Sequence, residues 1–252
     1  MMILEAKSNH FLGIEVDMGC LPGETAVFQQ QLAHSLNIWR DGGFKLVWLQ
    51  IPITQANLIP TAVDAGFRFH HSDENYLMLV YQIQPDAFIP PYATHYIGAG
   101  GVVINDKNEL LVIWERSHSR RYYKLPGGAI HAGEHLADGV MREVFEETGI
   151  RTKFESLVFF RHWHGYRYGK SDIYFICRLT PLTSDINMQL EEVQECFWMP
   201  VDEYLTHENV GLFNRRIVEM AINGQGLVPG WFDGYEPDPM SRELFLPRAK
   251  AE

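Results

Sequence analysis

The stretch GGAIHAGEHLADGVMREVFEETGI, residues 127–150, constrains this chain more than any other. It brings Glu143, Glu146 and Glu147 within about one helical turn, although like charges three and four apart on a helix repel. At roughly 100° per residue the three carboxylates share one arc, while Ala137, Met141, Val144 and Phe145 share another. The spacing predicts an amphipathic helix over 136–148, one face packing and the other gathering oxygens. Gly149 is then a natural left-handed stop. Arg142, four residues before Glu146, is set to orient a carboxylate by a charge-assisted hydrogen bond. Clustered carboxylates without adjacent lysines suit a hard divalent cation, which takes oxygen ligands and bridges to phosphates. A solvated acidic helix face is the plainer alternative from spacing alone.

Composition narrows the partners. The net charge of −11 argues against nucleic acid as a partner. An anionic small substrate remains compatible, because a bound cation reverses the sign inside a cleft. No run of eighteen apolar residues is present, so no membrane span is expected. The N-terminus lacks a basic head and a long apolar core, so no secretory signal is expected either. Cys20, Cys177 and Cys196 are odd in number and form no C-x-x-C pair. They are expected as buried thiols in a reducing, cytoplasmic compartment, not as a zinc site.

The sharpest break along the chain is QIQPDAFIPPYATHY, residues 82–96, which reads as a linker. Before it, FLGIEVDM, FKLVWLQIPI, FRFHH and NYLMLVYQI read as strands. Residues 23–43 read as a helix with Val27, Phe28, Leu32, Leu36 and Trp39 on its packing side. A second helix is expected over TQANLIPTAVDAGF, delayed by Pro60. After the linker, YIGAGGVVIN and ELLVIWER suggest a hairpin. Strands follow at ESLVFFRHW, SDIYFICRL and EVQECFWMP, then a helix near 214–222. The Gly- and Pro-rich residues 226–252 are expected to be irregular. This gives an α/β domain over 1–90, a second domain over 91–225 and a tail.

Gly128, five residues, Glu134, seven residues, then Arg142-Glu143-Val144-Phe145-Glu146-Glu147-Thr148-Gly149-Ile150 resembles the Nudix box, G-x5-E-x7-R-E-U-x-E-E-x-G-U, with U aliphatic. Every specified position matches. The resemblance implies an α/β fold, a Nudix α/β/α sandwich with a mixed sheet, that hydrolyses a nucleoside diphosphate linked to another moiety. It implies magnesium or manganese held by Glu143, Glu146 and Glu147, with Glu134 and the backbone carbonyl of Gly128 as further contributors. Arg142 would orient Glu143 or Glu146. The general base would be a box glutamate, Glu143 or Glu146, or a glutamate from a distant loop, such as Glu191, Glu192 or Glu195.

The similarity runs from about residue 12 to 222. WLQIPITQANLIPTAVDAGFRFHHSDENYLMLVY, YYKLPGGAI, KSDIYFICRL and CFWMPVDEY look like the Nudix subgroup that carries a smaller α/β pre-Nudix domain similar to part of an N-acetyltransferase. That subgroup includes plant ADP-ribose/NADH pyrophosphatases and a vertebrate member encoded antisense to a fibroblast growth factor gene. It implies ADP-ribose or NADH as substrate and a homodimer, with the first domain serving dimerisation and the cleft. No acetyl-CoA pyrophosphate loop is found in that domain. The S-Q-P-W motif of NADH-specific members, the coenzyme A signature and the proline of dedicated ADP-ribose enzymes are absent too. Other diphosphates (a nucleotide sugar, a coenzyme A derivative, a capped RNA end) and a nucleotide-sensing module therefore stay open. Arg116, Arg120, Arg121 and Lys124 in one loop, and Arg161, His162, His164, Arg167 and Lys170 in another, are candidates to grip phosphates and stack a ring. His70, His71 and His95 are expected as hydrogen-bonded structural groups, since magnesium rarely takes imidazole.

Overall fold

The computed structural model describes residues 2–10 and 12–248, and the chain divides into two compact units, Met1–Ala93 and Thr94–Glu252. In the first unit the order is β1 (Ala6–Ser8), β2 (Gly13–Val16), α1 (Thr25–Asp41), β3 (Leu46–Pro52), α2 (Ile59–Asp64), β4 (Arg68–Asp73) and β5 (Tyr76–Gln82). These strands form one sheet in the order β1-β2-β3-β5-β4, with only the β2–β3 pair parallel. Phe28, Leu32, Leu36 and Trp39 recur at helical spacing on α1, while Val47, Leu49 and Ile51 alternate along β3. The two sets meet in one core. Val27, expected in that stripe, is 43% exposed. The stripe runs instead through Ser35, whose Oγ accepts from the Leu4 backbone N–H at 2.8 Å and donates to the Gln31 carbonyl at 2.7 Å. Pro60 sits in the first turn of α2, where its missing N–H has no helical acceptor to lose. A 3-10 turn, Ile53–Leu58, fills the residues ahead of it. A cavity of about 970 Å³ beside Trp48, His70 and Tyr92 belongs wholly to this unit and is lined by none of the box glutamates.

The second unit runs β6 (His95–Val103), β7 (Glu109–Glu115), β8 (Gly127–Ala129), α3 (Leu136–Thr148), β9 (Thr152–Trp163), β10 (Ser171–Pro181), β11 (Val193–Pro200), α4 (Val201–Thr206), α5 (Leu212–Asn223), β12 (Leu227–Pro229) and β13 (Phe245–Pro247). Its main sheet has the order β13-β12-β9-β10-β6-β8 and is mixed, because β6 and β10 are parallel. Alternation sends Ala99, Val103, Cys177 and Leu179 toward α3, and Val102 and Ile176 toward α4 and α5. Helices thus cover both faces, as in an α/β/α sandwich.

Several expectations need correction. The β6–β7 hairpin reduces to one bridge, Ile104 to Leu110, beyond which β7 pairs with β11. Both strands are buried on both faces, so they belong inside layers and not in a ribbon with one wet face. Residues 226–248 are not wholly irregular. β12 pairs with β13 and touches β9 at Leu227–Leu157, while Phe245 packs on Phe154 with ring centroids 5.6 Å apart. Three-residue strands are too short to carry a readable period. Residues 249–252 of that tail lie outside the described residues. Cys20 is exposed and donates to Glu5 at 3.3 Å, whereas Cys177 is buried and Cys196 half-buried.

Candidate active site

The site is built where β8 turns into α3. β8 lies antiparallel beside β6, with Gly127 opposite Gly100 and Gly128 opposite Ala99. Gly127 has φ 148°, and a Cβ there would come within 2.2 Å of the Ala99 carbonyl oxygen, so a side chain would break the pairing. At Gly128 a Cβ would fall 2.4 Å from Glu143 Oε2. That glycine lets the helix carboxylate approach the strand. The Gly128 carbonyl oxygen stands 2.9 Å from where a Cβ of Gly98 would be, which turns it toward β6.

α3 starts without a side-chain cap from His135. Its exposed first N–H groups are met from far along the chain. The Glu243 carboxylate accepts from Leu136 N–H at 2.6 Å and from Ala137 N–H at 3.4 Å, as the positive helix N-terminus favours. The helix ends at Gly149 with φ 74°, whose N–H donates to the Phe145 carbonyl at 2.8 Å. Leu136, Val140 and Val144 are buried, while Phe145 is 44% exposed. The packing stripe is therefore rotated from the expected one. As a result Glu147 leaves the wet arc and is only 4% exposed.

Arg142 organises the remaining carboxylates. Its Nε and Nη2 donate to the two oxygens of Glu134 at 2.7 and 2.8 Å. Nη1 donates to Glu143 at 2.8 Å and to Glu146 at 3.0 Å, and Nη2 also reaches the Ala129 carbonyl at 3.1 Å. Glu134 also accepts from the His131 N–H at 3.0 Å. The Arg142 bonds, assisted by that N–H, hold its carboxyl down at about 2. Glu134 is thus a brace for the loop and for Arg142. The side chain of Glu146 is 52% exposed and that of Glu143 16%.

Glu147 accepts from the Gly127 N–H at 2.7 Å. Burial pushes its carboxyl up to about 8, aided by the nearby charges of Glu115 and Glu143 and opposed by Lys124 and the Gly127 N–H. A buried carboxyl among like charges is a donor set that a divalent cation fits, because the ion displaces the proton and relieves the repulsion. Glu115 was not singled out in the sequence. Its signal is a charge ending an otherwise apolar strand. Burial alone would raise its carboxyl, but Lys124 outweighs that, with help from His118 and Ser117, and holds it below the ordinary range.

The expected phosphate-gripping residues are mostly engaged within the protein. Arg116 donates to the Leu190 carbonyl at 2.5 Å and to Gln194 at 2.8 Å. Arg121 donates to Glu195 at 2.6 Å and lies over the Trp114 ring, and Lys124 pairs with Glu115. The backbone N–H of Lys170 donates to the Arg167 carbonyl at 2.9 Å and shapes the β9–β10 turn. Arg161 differs. Its Nη2 donates to Asp172 at 2.6 Å and its guanidinium sits among the rings of Trp163, Tyr174 and Phe213, yet its Nε is buried without a partner. Among the distant glutamates, Glu195 is tied to Tyr123 and Arg121, whereas Glu191 and Glu192 are exposed. His70 and His71 are hydrogen-bonded as expected, to each other at 2.7 Å and to the Pro90 carbonyl and the Tyr76 hydroxyl.

Comparison with known proteins agrees with this geometry. Residues 4–83 match the Nudix hydrolase domain family and residues 94–220 match the NUDIX domain family. The chain is 38% identical over 208 residues to Nudix hydrolase 8 of Arabidopsis thaliana, covering 81% of this chain and 56% of that protein. It is 41% identical over 210 residues to Nudix hydrolase 7 of the same plant, covering 81% and 74%. It is 36% identical over 230 residues to Nucleoside diphosphate-linked moiety X motif 6 of Homo sapiens, covering 88% and 72%. A sandwich bearing a carboxylate helix of this kind defines the class, and the chain belongs to the Nudix hydrolase family. Among the described residues no helix is long and apolar enough to cross a membrane.

Proposed function

We propose that the chain is a divalent-cation-dependent pyrophosphohydrolase that cleaves a nucleoside diphosphate linked to a second moiety, with ADP-ribose and NADH as leading substrates. The observation that carries this reading is one guanidinium, Arg142, bonded to Glu134, Glu143 and Glu146 beside the buried Glu147. Glu143, Glu146 and Glu147 are the assigned magnesium or manganese ligands, and Arg142 and Glu134 hold them in register. Bound there, the cation would neutralise the diphosphate and acidify the attacking water. Glu146 is assigned to take a proton from that water, which its exposure supports. In-line attack at phosphorus then needs mainly positioning and charge stabilisation. Arg161 is the assigned substrate contact, supported by a side chain 35% exposed and set among the rings of Trp163, Tyr174 and Phe213. Arg116, Arg121 and Lys124 already have internal partners and fit a framework role better.

The name of the human relative speaks of a nucleoside diphosphate linked to X, which supports the substrate class. The test is a panel of ADP-ribose, NADH, a nucleotide sugar, a coenzyme A derivative and capped RNA, incubated with magnesium and read by mass. AMP with ribose 5-phosphate, or AMP with reduced nicotinamide mononucleotide, is expected, and EDTA should abolish both. A preference for another diphosphate would change X and keep the reaction. Absence of metal-dependent turnover throughout the panel would leave a nucleotide-sensing module and sink the enzymatic reading.

A further inference from the structure

One tyrosine ring lies where the main sheet gives up its side chains. Tyr174 of β10 stands opposite Gly98 of β6 and opposite Arg161 of β9, and Gly100, opposite Ile176, shares that face. Gly127 of β8 stands opposite Gly100 in turn. A Cβ at Gly98 would come within 2.9 Å of the Tyr174 ring. One at Gly100 would fall 2.7 Å from the Tyr174 hydroxyl, and one at Gly127 would fall 2.9 Å from it. Three glycines on β6 and β8 thus clear a bed for this ring and fix where its oxygen ends. That oxygen rests against Gly127, whose N–H donates to Glu147 at 2.7 Å. The ring itself carries the Arg161 guanidinium, 5.5 Å from its centroid.

Packing accounts for the ring but not for the oxygen, since a phenylalanine would fill the same bed. Polar groups inside a protein are ordinarily paired. Yet among the described residues the Tyr174 hydroxyl has no hydrogen-bond partner. Unlike the sealed hydroxyl of Tyr204, it is left open to solvent on a half-buried residue. We propose that the Tyr174 hydroxyl is a substrate contact, donating a hydrogen bond to an oxygen of the diphosphate between the box glutamates and Arg161. The contact rests on the diphosphate hydrolase function proposed for the chain. The strand order β9-β10-β6-β8 supports it, because β10 lies between Arg161 on β9 and the β8 edge where the glutamates gather. A diphosphate that spans the two passes Tyr174. Burial of the ring pushes the phenol above its ordinary value; among the charges, Glu147 adds to that and Arg161 opposes it. The hydroxyl therefore stays protonated and acts as a neutral donor. Such a group stabilises phosphate oxygens without competing with a cation for the glutamates.

The experiment is calorimetric titration of a methylene-bridged ADP-ribose analogue, which cannot be cleaved at the bridge, into the full chain with magnesium present. Tyr174→Phe keeps the ring and removes only the oxygen. Its thermal unfolding should match wild type while its affinity falls by at least ~10-fold, the usual worth of a hydrogen bond to a charged group. Its kcat/KM for ADP-ribose should fall by a similar factor. Gly100→Ala is the second variant. The three atoms nearest its added methyl all belong to the Tyr174 side chain, so it keeps the hydroxyl but displaces it, and affinity should fall again. Wild-type affinity in Tyr174→Phe overturns the proposal, as does a wild-type chain that does not bind the analogue. If Tyr174→Phe melts early, Gly100→Ala decides, and native affinity there overturns the proposal. Magnesium-dependent turnover of ADP-ribose is scored separately. Its absence alongside binding that depends on the hydroxyl would sink the hydrolase function and leave the contact standing.

Discussion

Arg142 and Glu146 share a hydrogen bond but differ in what depends on them. Glu146 is half exposed, so Glu146→Gln should leave thermal unfolding near wild type while kcat falls by about 10²–10⁴-fold, read by steady-state kinetics. Arg142→Ala should cost both activity and about 2–3 kcal/mol of stability in denaturant unfolding. It strips the partner from Glu134 and Glu143, whose side chains are only 16% exposed. Equal stability losses in the two variants would contradict the assigned roles. Glu115 supplies a pH signature. Its carboxyl is depressed in the folded chain, so its contribution is present above the unfolded value and lost as pH falls below it. Glu115→Gln should therefore flatten the decline in Tm measured from pH 6 toward pH 3. At this scale the sequence was most informative where spacing alone sets proximity, as for Arg142 and Glu146. Glu147 escaped because its burial depends on which way α3 is rotated, a tertiary choice. The pairing of Arg121 with Glu195 escaped because 74 residues separate them.

The β8–α3 element makes a sharper demand on two adjacent glycines. Gly128→Ala meets the far end of the flexible Glu143 side chain, so the fold should hold and kcat should fall as Glu143 moves. Gly127→Ala meets backbone at 2.2 Å and needs φ 148°, so it should lower stability by about 1–3 kcal/mol or more. Melting curves and kinetics on both variants would separate the cases. A Gly128→Ala enzyme with native kcat would contradict the close approach. Long periodic elements such as α1, α3 and β3 were legible because their burial repeats over several turns or pleats. The short β8, α4, β12 and β13 were not. The β6–β7 hairpin was misread because strands buried on both faces look alike whether they pair with each other or with distant partners.

For the whole molecule, we propose a homodimer held through the first unit. Removal of residues 1–90 should turn the dimer into a monomer in sedimentation, while metal-dependent hydrolysis by the second unit persists at a changed KM. An unchanged dimer would rule out that role for the first unit. The two compact units meet at residues 93 and 94, inside the proline-bearing stretch 82–96. The return of residues 227–247 to the sheet was not, because their recognition comes from β9 and α3 rather than from their own pattern. The hydrogen bond from Leu136 to Glu243 spans 107 residues of chain. At the usual pace of synthesis, 5–20 residues per second, the glutamate helix waits roughly 5–20 s for the residue that caps it. A nascent chain thus carries its acidic helix without that cap while the 107 residues up to Glu243 are being added.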